Sequence, residues 1–122
     1  MGDSRRVELL NEADDVEMRV VSLIDDGQGN VMIEECTDGE LTYASFGEMG
    51  CVRRLSLSGE GLSRALQAMG RLEAEAYEAL RILFAEERAT LSDVLDALEA
   101  QGIEHRLTVE TGGDVAFRCF TT

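Results

Sequence analysis

The spacing of apolar residues changes along this chain of 122 residues, and that change constrains the fold more than any other feature. Between residues 15 and 57, apolar and polar residues alternate and glycine-rich clusters interrupt them, a pattern typical of antiparallel strands. After Gly59 and Gly61 the apolar residues recur every three or four positions, which is the spacing of one buried helix face. Alternation returns after residue 102. The sequence therefore predicts an α+β domain with helices on one face of an antiparallel sheet.

The first half predicts a four-stranded antiparallel meander. Its strands are predicted at 16–24, 31–36, 41–46 and 51–57. Asp38-Gly39 predicts a two-residue turn between the second and third strands, since both central residues of such a turn need positive φ. In that register Ile33 pairs with Ala44, and Arg54 lies beside Tyr43. The glutamate opposite Tyr43, Glu34, is then within reach of Arg54 from two strands away.

Two helices are predicted next, one of them long. The long helix covers residues 60–87, with Ser58 as its N-cap. Gly70 lies inside it at a cost of about 1 kcal/mol relative to alanine, and it indicates either a kink or a close crossing. A second helix begins after Thr90 and ends at Gly102, a residue suited to the left-handed conformation that follows many helices.

A C-terminal hairpin is predicted from strands at 103–110 and 115–120. A two-residue Gly112-Gly113 loop would place polar Thr108 opposite Phe117. A three-residue loop instead places Val109 opposite Phe117, and we therefore predict the longer loop with a glycine bulge. Residues 1–14 show no clear periodicity and predict a mobile or weakly helical arm, which leaves residues 15–122 as a single α+β domain.

The charge is strongly acidic. The chain has 25 acidic residues against 11 cations, all of them arginine, for a net charge of −14. Direct binding of nucleic acid is not expected, because phosphate binding needs basic patches. An Arg-rich, acidic proteome or a high-salt cytoplasm would explain this composition as well as a function would. The surplus is uneven, with 13 acidic residues and 3 arginines in residues 1–50.

Targeting and metal-binding signals are not found in the sequence. No apolar run is long enough to span a membrane, and the N-terminus does not match a signal peptide or a myristoylation site, so we expect a cytoplasmic protein. Cys36, Cys51 and Cys119 lack zinc-site spacing, and the chain has one histidine. We expect the cysteines to be small buried hydrophobes, and we expect no metal or cofactor.

Several residues are candidates for protein recognition. Tyr43, Arg54 and Glu34 form a predicted exposed cross-strand group, and Tyr and Arg are enriched at interface hot spots. An ordinary surface cross-strand group is the simpler explanation of the same residues. Asp25 and Asp26 belong to a turn that lacks the ligand spacing of a calcium loop, although they add acidic surface. Arg53 has the parity of the buried face, so we expect its stem over the core and its charged end in water.

The sequence favours a small non-enzymatic protein that binds another protein with a basic surface. Immunity proteins, antitoxins and nucleic-acid mimics share this physical character, in which acidic potential steers encounter. A homodimer through a sheet edge or the long helix is a further expectation. The alternative is a small-molecule-binding domain or enzyme with a pocket between helices and sheet. His105 and Cys119 would be its polar residues, on one face of the predicted hairpin.

Overall fold

The computed structural model describes residues 4–39, 50–72, 75–111 and 114–120, and for residues 111–120 it describes only the backbone pairing. One antiparallel sheet has the strand order β1-β2-β3-β4-β5-β6. The strands are β1 (Arg5–Ala13), β2 (Glu17–Asp25), β3 (Asn30–Gly39), β4 (Gly50–Ser58), β5 (His105–Thr111) and β6 (Asp114–Phe120). The helices are α1 (Gly59–Ala68), α2 (Ala76–Arg81), which continues into a π-helical turn (Ile82–Glu86), and α3 (Leu91–Ala100). The α+β class with an antiparallel sheet is confirmed.

The N-terminal segment is a strand, so the prediction of a mobile or weakly helical arm over residues 1–14 is wrong for Arg5–Ala13. This segment, β1, pairs with β2 along its length. The register shifts between Glu8 and Leu10, and this bulge lets consecutive residues Leu9 and Leu10 both become buried, at 4% and 8% exposure. The bulge hides the alternation that marks a strand, because an extra residue shifts the parity of all that follow it.

The predicted pairing of the second and third strands is also wrong. β3 lies between β2 and β4, and Ile33 pairs with Leu23 on one side and Leu55 on the other. Both positions beside Ile33 are thus occupied by described strands, and its predicted pairing with Ala44 is wrong. Gly39 has a φ of +139°, and a Cβ there would lie 2.1 Å from the Val16 carbonyl oxygen. This glycine therefore lets the end of β3 approach the backbone just before β2 closely. The predicted strand at 41–46 lies outside the described residues.

The single long helix is a wrong prediction, because α1 ends before Gly70. Gly70 has a φ of +82°, and the Arg71 backbone N–H donates to the Leu66 carbonyl at 2.8 Å. This is the Schellman arrangement that a left-handed glycine allows. After it, the chain starts a separate helix at Ala76. The sequence offers a kink or a close crossing at Gly70, and the structure shows that the helix direction breaks there.

The predicted helix caps are confirmed. The Ser58 hydroxyl accepts from the Gly61 N–H at 2.9 Å at the start of α1. Thr90 and Asp93 form a reciprocal capping box at the start of α3. At its end Gly102 has a φ of +66°, as the sequence predicts for a helix stop.

The C-terminal hairpin has the shorter loop, so the prediction of a three-residue loop is wrong. Thr111 pairs with Asp114, which leaves two residues between them, and Thr108 pairs with Phe117. Apolar residues of the two strands face each other only across a three-residue loop, which is why the sequence favours that loop. In the structure, a two-residue connection sets the register instead, as tight loops generally do.

The hydrophobic core lies between one face of the sheet and the helices. Its fully buried side chains come from both layers, which confirms that the helices pack on one face. The largest of them are Phe84, Ile33, Leu55, Leu62, Leu80, Leu91, Leu98, Val21 and Val94.

Candidate interaction face

The sheet has a second face, opposite the core, which we call the open face. Successive side chains of a strand point to opposite faces. The neighbours of the core residues therefore point away from the helices, and in the described part of the chain every helix contributes to the core on the other side. The half-buried apolar side chains of the open face are Val20, Ile24, Met32, Cys36 and Val52.

An ion-pair network crosses the middle of the open face. The Glu34 carboxylate accepts from Arg6 at 2.9 Å and from the Arg54 Nε at 3.0 Å. Arg54 also donates to Glu110 at 3.0 Å, so the network joins β1, β3, β4 and β5. The structure thus brings Glu34 and Arg54 together as the sequence predicts, but as direct cross-strand partners. Tyr43, the third predicted member, lies outside the described residues.

The environment of Glu34 favours its charged form. Burial by itself raises the pKa of this carboxyl. Hydrogen bonds from Arg6 and Arg54, together with their positive charges, outweigh burial and hold the pKa below its usual 4.5. Glu34 therefore stays ionised at neutral pH with both oxygens occupied by arginine.

Cys36, beside this network, and Cys51, on the core side of the sheet, are both unsuited to nucleophilic chemistry. Burial raises the pKa of the Cys36 thiol, and the negative charge of Glu34, whose Oε1 lies 3.8 Å from the Cys36 Sγ, raises it further. Burial also raises the pKa of Cys51. Since the thiolate is the reactive form, these thiols are protonated and slow to react at neutral pH. Both are free rather than disulfide-bonded.

A buried charge cluster lies on the core side of the sheet, and sequence reasoning missed it. Glu35 has a side-chain exposure of 5% and accepts from Arg19 at 3.1 Å and from the Arg53 Nε at 2.8 Å. The Arg19 guanidinium also lies over the Phe84 ring, 5.7 Å from its centre. The charged end of Arg53 is bound to Glu35 and to the Ser92 hydroxyl, and with a side-chain exposure of 16% it reaches water only in part. The shared odd parity of Arg19, Glu35 and Arg53 on adjacent strands was the signal that would have found this cluster.

The candidate acids of the β2–β3 turn serve the turn itself. Asp25 accepts from the Gly27 N–H at 2.7 Å. Asp26 accepts from the N–H groups of Gln28 and Asn30, and these bonds lower the pKa of its carboxyl. Their hydrogen bonds account for both residues by local structure.

The backbone register of the C-terminal hairpin separates the two residues of the alternative pocket. The register pairs His105 with Phe120 and Cys119 with Arg106, so the predicted shared face of His105 and Cys119 is wrong. His105 is buried, and its Nδ1 lies 2.8 Å from the Ile103 carbonyl oxygen. It borders a depression of about 500 Å³ at the end of the sheet.

A cavity does exist between the helices and the sheet, but other residues line it. Its volume is about 300 Å³. Val7, Leu23, Val31 and Leu62 supply apolar walls, and the remaining lining residues include Arg5, Asp25, Glu75 and Tyr77.

Comparison with known proteins gives no match to a family model, to a curated protein or to a solved structure. Among the described residues there is no helix with the length and apolarity needed to cross a membrane. The same residues contain no group of three or more side chains placed to hold a metal ion.

Proposed function

We propose that this chain is a non-enzymatic protein-binding module that acts through the open face of its sheet. One observation carries the proposal: half-buried apolar side chains surround an ion-pair network on a sheet face that no described helix covers. An apolar surface with a central arginine is the composition that protein interfaces favour. Glu34 and Arg54 remain its central recognition candidates.

The ion pairs suit this face to being covered by a partner. A lone charge is costly to bury, and a charge that already has its partners is much less so. Glu34 is already only 13% exposed at its side chain, and Arg54 is 34% exposed and holds two carboxylates. A docking protein would therefore have few unpaired charges to neutralise at the centre of the face.

The expectation of a basic partner rests on the net charge of −14. Acidic potential speeds the approach of a basic protein, and this effect weakens as salt screens the charges. The salt dependence of binding tests that part of the proposal separately from the location of the site.

The test compares affinity capture from an extract of the source organism by three versions of the protein. Val52→Lys puts a charge into the open face, where Val52 is half-buried. Leu72→Lys is the matched control, because Leu72 is 85% exposed in the connection between α1 and α2. We expect the wild type and Leu72→Lys to retain the same protein, and Val52→Lys to lose at least about tenfold in affinity for it.

Equal capture by all three versions would rule out the open face as the binding site. Capture that does not change with ionic strength would rule out the basic-partner component and leave the site in place. Circular dichroism of each variant before the experiment shows whether the fold is intact.

The cavity between helices and sheet supports a second candidate, a binding site for a small amphipathic molecule. Its apolar walls and charged rim are the usual composition of such sites, and about 300 Å³ is at the lower end of their size range. A ligand screen read by thermal unfolding tests it. A ligand that raises Tm for the wild type but not for a folded Leu62→Phe variant, which enlarges one wall of the cavity, would establish the site.

A further inference from the structure

The charges of the open face are nearly balanced, in contrast to the rest of the molecule. Three arginines and four acidic residues among the described strands point to this side, whereas the whole chain has a net charge of −14. They are Arg6, Arg54, Arg106, Glu8, Glu34, Asp38 and Glu110. The acidic surplus therefore lies elsewhere, and this face exerts little net repulsion on another acidic protein.

This balance disfavours a strongly basic occupant of the face itself. The carboxylate of Glu34 is already occupied by Arg6 and Arg54. Glu110, a second acid of this face, is also held by Arg54, so half of its four acids are already paired with arginine. A surface with arginines and glutamates in similar number is complementary to itself, because a two-fold axis places the same patch against its own copy.

The dimensions of the face are sufficient for a stable dimer. A sheet of six strands, of nine residues in β1 and β2, spans about 24 Å by 30 Å at the usual strand spacing and rise. Two such faces in full overlap would bury about 1,400 Å² in total, which is the upper limit for this contact. Specific, stable interfaces bury about 1,200–2,000 Å², so the open face meets the requirement.

We propose that the open face binds a second copy of this chain, sheet against sheet, in a two-fold symmetric dimer. The inference rests on the location of the site in the proposed function, and it replaces the basic partner with a second copy of the chain. Val20, Cys36 and Val52 of each copy form the apolar part of the interface. The network of Glu34 and Arg54 is buried as a pre-formed unit. The two sheets cross at about 30°, as aligned sheet pairs do.

Sedimentation velocity of the purified full chain over a wide concentration range tests the dimer. We expect the wild type and Leu72→Lys to sediment with twice the chain mass of 13.4 kDa. Val52→Lys should sediment as a single chain at the same concentrations, with association at least about a hundredfold weaker, since each copy brings an unpaired charge into the interface. Met18→Lys is a second open-face variant at a more tolerant position, because Met18 is 37% exposed.

A wild type that stays a single chain at the highest concentration would overturn the dimer. So would dimers of folded Val52→Lys and Met18→Lys, because the contact would then lie at a sheet edge or on the helices. Capture from the extract separates the two proposals. If the wild type is a single chain but Val52→Lys loses its captured protein, the dimer is wrong and the proposed function stands. If neither association depends on the open face, both are wrong.

Discussion

Glu35 links several elements of the fold through its two arginine partners. It lies on β3 beneath the helix layer and is shared by Arg19 of β2 and Arg53 of β4. Arg19 also reaches the Ala89 carbonyl at 3.4 Å, and Arg53 reaches the Ser92 hydroxyl at 3.4 Å, so the cluster ties the sheet to the segment before and at the start of α3. A buried ion cluster of this kind gives less net stability than its short distances suggest, but breaking it is costly.

We expect Glu35→Gln to destabilise the fold by about 3 kcal/mol, because two largely buried arginines lose the charge that compensates them. Glu110→Gln is the control, since Glu110 is 45% exposed and its ion pair should contribute about 1 kcal/mol or less. Urea unfolding gives both values. Equal losses for the two variants would mean that Glu35 is effectively solvated.

Glu34 should make stability depend on pH in a defined direction. Burial raises the pKa of Glu34 in the folded state, but the hydrogen bonds and charges of Arg6 and Arg54 lower it by more. The net result is a pKa below the usual 4.5. Its contribution is therefore full above the usual value and is lost as pH falls through the lowered one. The measurement is the difference in unfolding free energy between wild type and Glu34→Gln along a pH series. A difference that grows towards acid pH would contradict the assignment.

At the scale of elements, the short connections decide what the apolar pattern can build. Gly70 stops α1 in the left-handed conformation, and the Arg71 N–H then closes the helix end. The following segment forms a second helix that ends in the π-helical turn Ile82–Glu86. A single straight helix over 60–87 would instead extend past the sheet, whereas two helices keep Leu66 and Leu80 in one core.

We expect Gly70→Ala to cost about 1 kcal/mol. Nothing lies within 4 Å of the added Cβ, so the cost comes from the φ of +82° and not from crowding. Gly50→Ala is matched to it, because its Cβ also meets open space and its φ is not in the left-handed range. Thermal unfolding of both variants should show a lower Tm for Gly70→Ala alone. A similar Tm for the two would argue against a strained helix end.

The strengths and failures of sequence reasoning follow from the range of the interactions involved. Caps at Ser58 and Thr90 and the stop at Gly102 were predictable because each is decided within a few residues. The register of β3 was not predictable, because Asp38-Gly39 has the local sequence of a turn. Only the tertiary structure shows that Gly39 is instead the point where β3 approaches the Val16 backbone. The partners within the ion clusters likewise depend on which strands are adjacent, and a pattern within one strand does not reveal this. Parity marks Arg53 as buried, but its partner Glu35 becomes evident only once β3 and β4 are adjacent.

At the scale of the whole molecule, the acidic residues that have arginine partners lie in different places from the surplus that gives the chain its net charge. Arginine partners are found for four glutamates: Glu34, Glu35, Glu12 and Glu110. The chain as a whole nevertheless keeps a net charge of −14. Arginine therefore neutralises most of the negative charge in the interior and on the open face. The surplus acidic side chains lie on turns and helix surfaces, where they repel one another. Folding brings these charges closer together, which costs stability at low ionic strength.

Added sodium chloride should therefore stabilise the fold. Raising the salt from low to physiological concentration should raise Tm by about 4 °C, because screening relieves the repulsion more than it weakens the paired clusters. The double variant Asp15→Asn/Asp96→Asn removes two exposed acids and should show a smaller rise. A fall in Tm with salt would show that the ion pairs dominate the balance. Potassium chloride controls for a specific effect of sodium.

The shared carboxylate of Glu35 also limits how this chain can change over evolutionary time. Losing Glu35 first leaves two arginines facing each other, and losing either arginine first leaves a weakened pair beneath the helices. The three positions can then be replaced only in concert, by apolar residues of similar volume. Distant descendants of the same ancestor should therefore show Arg19, Glu35 and Arg53 either all present or all absent. That linked pattern is a fingerprint by which relatives can be recognised after the rest of the sequence has diverged.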